Sequence, residues 1–282
     1  MKLLVFTDLD ATLLDSETYS WEAASQAIRA LREHQASIIL VSSKTRAEME
    51  PIHLEIGLTD PFIIENGGGI VIAEKEPIAL ELSRNLALAD PMTDKGWLIY
   101  KLGASYPELV EQLDSIGMEV GCTLKGFSTM TKEEVVTLTG LGPKEASKAK
   151  KREFDEPFVA TDAMEDKQKE IKTAAAHRGL TVVAGGRFWH LMGHKGKGVA
   201  VSLLIDAYRR VYADIHSIGL GDSPNDFPFL EVVDTPVLLD EAFTFSLTQP
   251  LAERVIVCPV GGPKGWNTSI LKILEHTSQQ HH

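Results

Sequence analysis

The stretch Leu3–Asp15, "LLVFTDLDATLLD", sets three aspartates against an almost wholly apolar run. Leu3 to Phe6 reads as a strand buried on both faces, of the kind found at the centre of a parallel sheet. Asp8 and Asp10 then stand at the tip of a buried strand, where two charges cost free energy unless something compensates them.

Outward from this strand the first third alternates strand and helix. Ser20 can cap a helix in which Trp21, Ala24, Ala27, Ile28 and Leu31 fall at three- and four-residue spacings. The apolar "SIILVSS" follows, then a helical stretch from about Thr45, then "PFIIENGGGIVI", a strand, a glycine turn and a second strand. The last third resumes the rhythm with a helix from about Lys197 to Tyr212, "HSIGLGDSPND", a helix through Leu230, "TPVLL" and "RVIVC". Alternating units with apolar strands predict a parallel sheet with helices on both faces. The middle, with amphipathic segments such as "YPELVEQLDSIG" and strands such as "EPFVAT", reads as a smaller inserted α+β domain. The boundaries expected are a core over 1–83 and 191–282 and an insert over 84–190.

Composition narrows the classes. A hydrophobic content of 44% with 24% charged residues is that of a globular protein. No apolar run approaches the roughly 20 residues that span a bilayer, and the N-terminal residues lack a signal-peptide layout. The net charge of −12 argues against a nucleic-acid partner. Cys122 and Cys258 show neither metal-ligand spacing nor a disulfide framework, so a reducing, cytoplasmic setting is expected. No function is read into the terminal His281 and His282.

Open α/β sheets bind ligands beyond the carboxyl ends of their strands. Four polar clusters fall where such ends are expected: Asp8 and Asp10; Ser42 and Ser43; Lys195 and Lys197 in "GHKGKG"; and Asp222, Asn225 and Asp226 in "GDSPND". Gathered carboxylates repel one another unless a hard cation binds them, and Mg²⁺ prefers oxygen ligands and a substrate phosphate. One aspartate could then attack phosphorus while its neighbour handles protons. Ser42, the backbone near Ser43, Asn225 and a lysine would hold the phosphate oxygens. Either aspartate cluster alone would also serve as an ordinary turn or helix start. Their convergence with a lysine carries the catalytic reading.

"DLDATLLD", "VSSK", "GKG" and "GDSPND", in this order, resemble the four motifs of the haloacid dehalogenase (HAD) superfamily of phosphatases. The insertion resembles that superfamily's type IIB cap. The segments "SSKTRAEME", "PFIIENGGG", "TGLGPKEASKAKKREFDEPF" and "GGRFWH" are similar to the mannosyl-3-phosphoglycerate phosphatase family. The resemblance implies a Rossmann-like HAD core with an α+β cap and Mg²⁺-dependent hydrolysis of a sugar phosphate. Asp8 would be the nucleophile and Asp10 the acid and base. Asp8, the Asp10 carbonyl and Asp222 would hold the metal with Asp226 close by, Ser42 and Lys197 the phosphate. Lys197 matches the third motif better than Lys195. Ala11 departs from the usual glycine, and is strained if its φ is positive.

Substrate contacts are expected at Asn66, Gly67 and Gly68, where bare backbone lets a ligand approach. In "PKEASKAKKREFDE", Lys144, Lys148, Lys151 and Arg152 lie near one helical face, a charged face that is by default simply solvated. Arg152 and Lys148 are the candidates there for a substrate carboxylate. Arg187 and His190 are further candidates near the return to the core. The expected partner is a small sugar phosphate, with no nucleic acid and no membrane, for a monomer or homodimer. Alternatives at this point are another sugar-phosphate phosphatase (the glucosyl substrate included), a phosphomutase that needs a bisphosphate, and a non-catalytic sensor.

Overall fold

A computed structural model describes the chain except residues 86–87, 161–163, 185–186, 194–195 and 280–282, and leaves the side chains of 164–166 and 277–279 undescribed. Lys195, His281 and His282 therefore lie outside the described residues.

Thirteen strands are described: β1 (Lys2–Thr7), β2 (Ser37–Val41), β3 (Phe62–Ile64), β4 (Gly69–Ala73), β5 (Met92–Asp94), β6 (Trp97–Lys101), β7 (Leu124–Gly126), β8 (Asp155–Ala160), β9 (Leu180–Ala184), β10 (Trp189–Gly193), β11 (Ile215–Gly221), β12 (Thr235–Leu239) and β13 (Ile256–Cys258). Nine of them form one sheet in the order β13-β12-β11-β1-β2-β3-β4-β6-β5. From β13 to β3 every pairing is parallel, and β4, β6 and β5 add antiparallel ribbons at the far edge.

The burial of β1 explains its apolar composition. Leu3 and Val5 face helices Ser25–Glu33 and Gly262–Gln279 on one side of the sheet, where Ile28, Leu31, Trp266 and Ile270 pack. Leu4 and Phe6 face helix Lys197–Val211 on the other, against Ala200, Val201 and Leu204. Each fully buried aliphatic or aromatic side chain contributes about 1.5–3 kcal/mol, so the centre of the sheet is rigid. Such rigidity holds the residues just past the ends of β1, β2 and β11 in fixed positions.

The second sheet, β7-β8-β10-β9, is antiparallel throughout. Helices Tyr106–Val120 and Met164–His177 cover it through Leu109, Leu113, Ile116 and Ile171. The expected insert boundary at residue 84 is not where the structure divides. β5 and β6 pair onto β4 in the main sheet, so the residues that build the second sheet begin after Lys101. Lys95 and Gly96, both at positive φ (49° and 85°), make the two-residue hairpin turn that joins β5 to β6.

Candidate active site

Three adjacent parallel strands deliver the site. β1 ends at Thr7 and hands over to Asp8, β2 ends at Val41 before Ser42, and β11 ends at Gly221 before Asp222. Helix Lys197–Val211 starts at the same end with its first residue buried. Lys197 Nζ donates to Asp8 Oδ1 and to Asp226 Oδ1, both at 2.7 Å. Among the described residues Asp8 Oδ2 accepts no hydrogen bond.

Asp226 is fully engaged. Its Oδ2 accepts from the backbone N–H of Asp222 (3.1 Å), the N–H of Ser223 (3.2 Å) and Ser223 Oγ (3.2 Å), which folds "GDSPND" into a capped turn. Gly221 is required by this packing, since a Cβ there would lie 2.4 Å from Asp226 Cβ. Asp222 is steadied by Thr12 Oγ1, which donates to Asp222 Oδ1 at 3.1 Å.

Carboxylate oxygens of Asp8, Asp222 and Asp226 lie within 4.8 Å of one another. Burial pushes the Asp8 carboxyl well above the usual carboxylate range; Lys197 opposes this, and Asp226, Asp222 and Asp10 reinforce it. Burial and then Asp226 push Asp222 up to about 7. One ammonium thus fails to balance the negative charge. Hard oxygen donors with an excess of charge fit a divalent cation such as Mg²⁺. The Asp10 side chain stands outside this triplet, which agrees with the expectation that only its backbone carbonyl would face a metal. Its Oδ2 pairs with Lys44 Nζ at 2.8 Å, while its Oδ1 is buried with no hydrogen-bond partner among the described residues.

Ala11 adopts φ +57°, the left-handed conformation for which glycine is favoured, and its carbonyl accepts from Gly262 N–H at 3.0 Å. The superfamily's glycine is thus replaced at a position that does require positive φ. Ser42 is 1% exposed, and its Oγ accepts from Lys44 N–H at 3.2 Å. Ser43 is half-buried and turns its carbonyl to Arg152 Nη1 at 2.8 Å.

The other expected contacts resolve into a polar chain between the two sheets. Asn225 Nδ2 donates to Asn66 Oδ1 at 2.9 Å, and Asn66 Nδ2 donates to Asp155 Oδ2 at 2.8 Å. His190 Nδ1 lies 3.1 and 2.9 Å from the two Asp155 oxygens, and Arg152 Nη1 lies 3.7 Å from Oδ2. Burial works to raise the Asp155 carboxyl, but His190, Arg152 and Asn66 together hold it below its ordinary value. Asn225 is therefore bonded to Asn66, where a phosphate contact was expected.

Gly67 and Gly68 serve protein packing. A Cβ on Gly67 would stand 2.4 Å from the Gly196 carbonyl carbon, and one on Gly68 would stand 2.4 Å from Phe154 Cβ. The space expected for a ligand beside them is filled by the lysine helix and the second-sheet linker. The basic run does not form one helical face either. Its helix ends at Ala149, after which Lys150 Nζ bonds to the Phe127 and Met130 carbonyls and Arg152 turns inward under Phe127. Lys148 is half-buried, and its carbonyl accepts from Thr45 Oγ1 at 3.0 Å. Arg187 is exposed, bonded to the Leu138 carbonyl at 2.7 Å, and makes no contact with the acidic cluster among the described residues.

Four residues escaped the sequence. Lys44 carried a signal, being a cation directly after the two serines that follow β2. Thr12 and Asp155 carried none that distinguishes them from neighbouring polar residues. Glu65 is wholly buried and accepts from the N–H groups of Glu153 and Phe154, which ties the main sheet to the start of β8.

A parallel α/β sheet that gathers carboxylates, a buried lysine and a serine at its strand ends defines a hydrolase of the phosphoryl-transfer type. Residues 5–89 match the haloacid dehalogenase-like hydrolase family. Three relatives match over most of the chain. The glucosyl-3-phosphoglycerate/mannosyl-3-phosphoglycerate phosphatase of Methanococcoides burtonii is 36% identical over 97% of this chain and 98% of its own. Its namesake from Persephonella marina is 34% identical over 96% and 97%. The mannosyl-3-phosphoglycerate phosphatase of Pyrococcus furiosus is 32% identical over 84% and 91%. The chain belongs to the haloacid dehalogenase-like hydrolase family. Solved structures share the fold, among them a Thermoplasma acidophilum protein (TM-score 0.63, 19% identity, 98% of each chain). A HAD subclass IIB sugar phosphatase does so too (TM-score 0.61, 16% identity, 99% of each chain).

Proposed function

We propose that the protein is a Mg²⁺-dependent phosphatase that hydrolyses mannosyl-3-phosphoglycerate to mannosylglycerate and phosphate. The glucosyl ester is a second substrate under the same reading, supported by the double name of the two relatives at 36% and 34% identity. The observation that carries the chemistry is Asp8, fixed just past the end of β1 with Oδ1 on Lys197 and, among the described residues, no hydrogen bond to Oδ2. Asp8 Oδ2 attacks phosphorus, the ester P–O bond breaks, and a phosphoaspartate forms. Asp10 gives a proton to the departing alkoxide and then takes one from the water that hydrolyses the phosphoaspartate. Lys197, Ser42 and the backbone around Ser43 hold the phosphate oxygens. Asp226 keeps Lys197 and the 222–226 turn in place. Asp8, Asp222 and the Asp10 carbonyl would hold Mg²⁺, which when bound neutralises phosphate charge.

The second sheet and its helices act as a cap over this site, with Asp155, Arg152 and His190 at the junction with Asn66. No helix among the described residues is long and apolar enough to cross a membrane. The reading places the enzyme in a reducing cytoplasm, acting on a small molecule as a monomer or homodimer.

Phosphate release from mannosyl-3-phosphoglycerate, the glucosyl ester and mannose 6-phosphate, each with Mg²⁺ and with EDTA, tests the assignment. Metal-dependent preference for the glycosyl phosphoglycerates is expected, and Asp8→Asn should abolish release while retaining binding. Release from mannose 6-phosphate alone would refute the substrate, and substantial turnover by Asp8→Asn would refute the nucleophile.

A further inference from the structure

Asp10 has a partner with no role in the chemistry above. Lys44 Nζ stands 2.8 Å from Asp10 Oδ2, and its side chain is 13% exposed against 44% for Asp10. The ammonium also lies 5.5 Å from the centre of the Tyr19 ring. An ammonium has three N–H donors, and Asp10 takes one. Among the described residues no other hydrogen bond from Lys44 Nζ is recorded. Its one ion-pair partner among the described residues is half-solvated, and Glu48, the other carboxylate that acts on it, is turned to Thr45, which leaves room for a second anion.

Arg152, the cation expected to receive a carboxylate, is already committed. Its Nε donates to the Ala149 carbonyl and its Nη1 to the Ser43 carbonyl, it lies beside Asp155, and its side chain is 7% exposed.

Resting on the phosphatase reading, we propose that Lys44 receives the carboxylate of the phosphoglycerate moiety and so selects carboxylate-bearing esters. The geometry follows from Asp10. To protonate the leaving oxygen, Asp10 must come within about 2.6–3.2 Å of it. Lys44 touches that same carboxyl group, so it borders whatever is attached to the leaving oxygen. In a 3-phosphoglycerate ester the carboxylate stands two carbon–carbon bonds from the carbon bearing that oxygen. This brings it into the range of a long, flexible ammonium side chain. A simple sugar phosphate offers a neutral hydroxyl at the same place, which leaves the open donors of Lys44 without an anion.

The test compares 3-phosphoglycerate with glycerol 3-phosphate, which differ by a carboxylate against a hydroxymethyl group. Each is titrated calorimetrically with Mg²⁺ into Asp8→Asn protein, which blocks turnover, and into the same protein carrying Lys44→Met or Lys44→Arg. The parent should prefer 3-phosphoglycerate, and Lys44→Met should erase about ten- to a hundredfold of that preference. Lys44→Arg should keep most of it, which separates loss of charge from a damaged fold. Glycerol 3-phosphate affinity should change far less than 3-phosphoglycerate affinity. Absence of any preference in the parent, a preference that survives Lys44→Met, or an equal fall for both ligands would overturn the proposal. An equal fall would mean that Lys44 only positions Asp10. Failure of the phosphatase reading shows separately, as no phosphate release by the unmutated enzyme from any ester.

Discussion

Replacing Lys197 by Met removes the ammonium that touches both Asp8 and Asp226, while nearly conserving side-chain volume. Each contact is 2.7 Å long. At an effective dielectric constant of 20, such a contact carries about 6 kcal/mol of gross Coulomb attraction. Desolvation of three buried groups offsets much of that. Breaking a buried pair and leaving its charge uncompensated costs roughly 3–5 kcal/mol. That range is the expected loss, measured by urea unfolding in EDTA at neutral pH. For a chain of this size it corresponds to a midpoint lowered by about 1–1.5 M.

The pH dependence has a definite sign. Lys197 is raised above its ordinary 10.5, so its contribution is complete at neutral pH and is lost only in strong alkali. Once it is gone, the carboxyls of Asp8 and Asp222, already raised, hold protons more tightly in the folded than in the unfolded chain. Stability of the variant therefore falls as pH rises from about 4 through the raised values, and recovers on acidification. Mg²⁺ added at neutral pH should restore part of the loss, because a cation that binds only the folded cluster stabilises by mass action. Turnover should drop by about 10²–10³-fold. A stability loss below about 1 kcal/mol, flat between pH 5 and 7.5, would refute the picture of an acidic cluster held by one ammonium.

Four further substitutions probe other features. Ala11→Gly relieves a left-handed alanine worth about 1–2 kcal/mol and adds about 0.4–1 kcal/mol of unfolded-state entropy, so a net gain of roughly 0.5–1 kcal/mol is expected in urea unfolding. Ala11→Val at the same place should destabilise clearly. Glu65 is raised from 4.5 to about 8 by burial; the native chain should therefore lose stability as pH rises across that window, by up to about 1.4 kcal/mol per unit, whereas Glu65→Gln should lack this slope. Asn66→Leu strips one partner each from Asn225 and Asp155, and should cost roughly 2–4 kcal/mol by the same assay.

The sequence is informative wherever chemistry sits on regular structure. "LLVF" is legible as a central strand because both of its faces are buried, and a strand so placed fixes where Asp8 stands. Ser42, Lys197 and Asp222 follow for the same reason, each lying at the carboxyl end of its strand or the start of its helix. Helices Tyr106–Val120 and Lys132–Thr139 show their amphipathic period and capping boxes openly. The basic run misleads because a helical period was extended past Ala149. There the chain must leave the helix to bring the N–H groups of Glu153 and Phe154 to Glu65. The hairpin of β5 and β6 reads from sequence as part of the insert because nothing in "MTDKGWLIYK" tells which sheet edge it joins. Sheet membership is decided by pairing with β4, more than twenty residues earlier in the chain. Pairings between residues distant in sequence, Asn66 with Asp155 and Lys44 with Asp10, leave no local trace at all.

Those distant pairings also account for the glycines of "ENGGG". Glu65, Asn66 and Gly67 all have positive φ, at 48°, 57° and 91°. Two non-glycine residues held left-handed in succession cost of order 1–3 kcal/mol each, so surrounding contacts must over-determine them. Those contacts come from two directions. Gly67 and Asn66 are pinned from below by the start of the lysine helix and by Asn225, Glu65 and Asn66 from above by Glu153, Phe154 and Asp155. The strained turn is thus the joint at which the strand-end residues of the main sheet and the second sheet meet. Parting the two sheets would break the Asn66–Asp155 and Glu65–Phe154 bonds together, while the bonds of Glu65 N–H and Asn66 N–H to the Lys44 and Ser42 carbonyls lie on the main-sheet side of the joint.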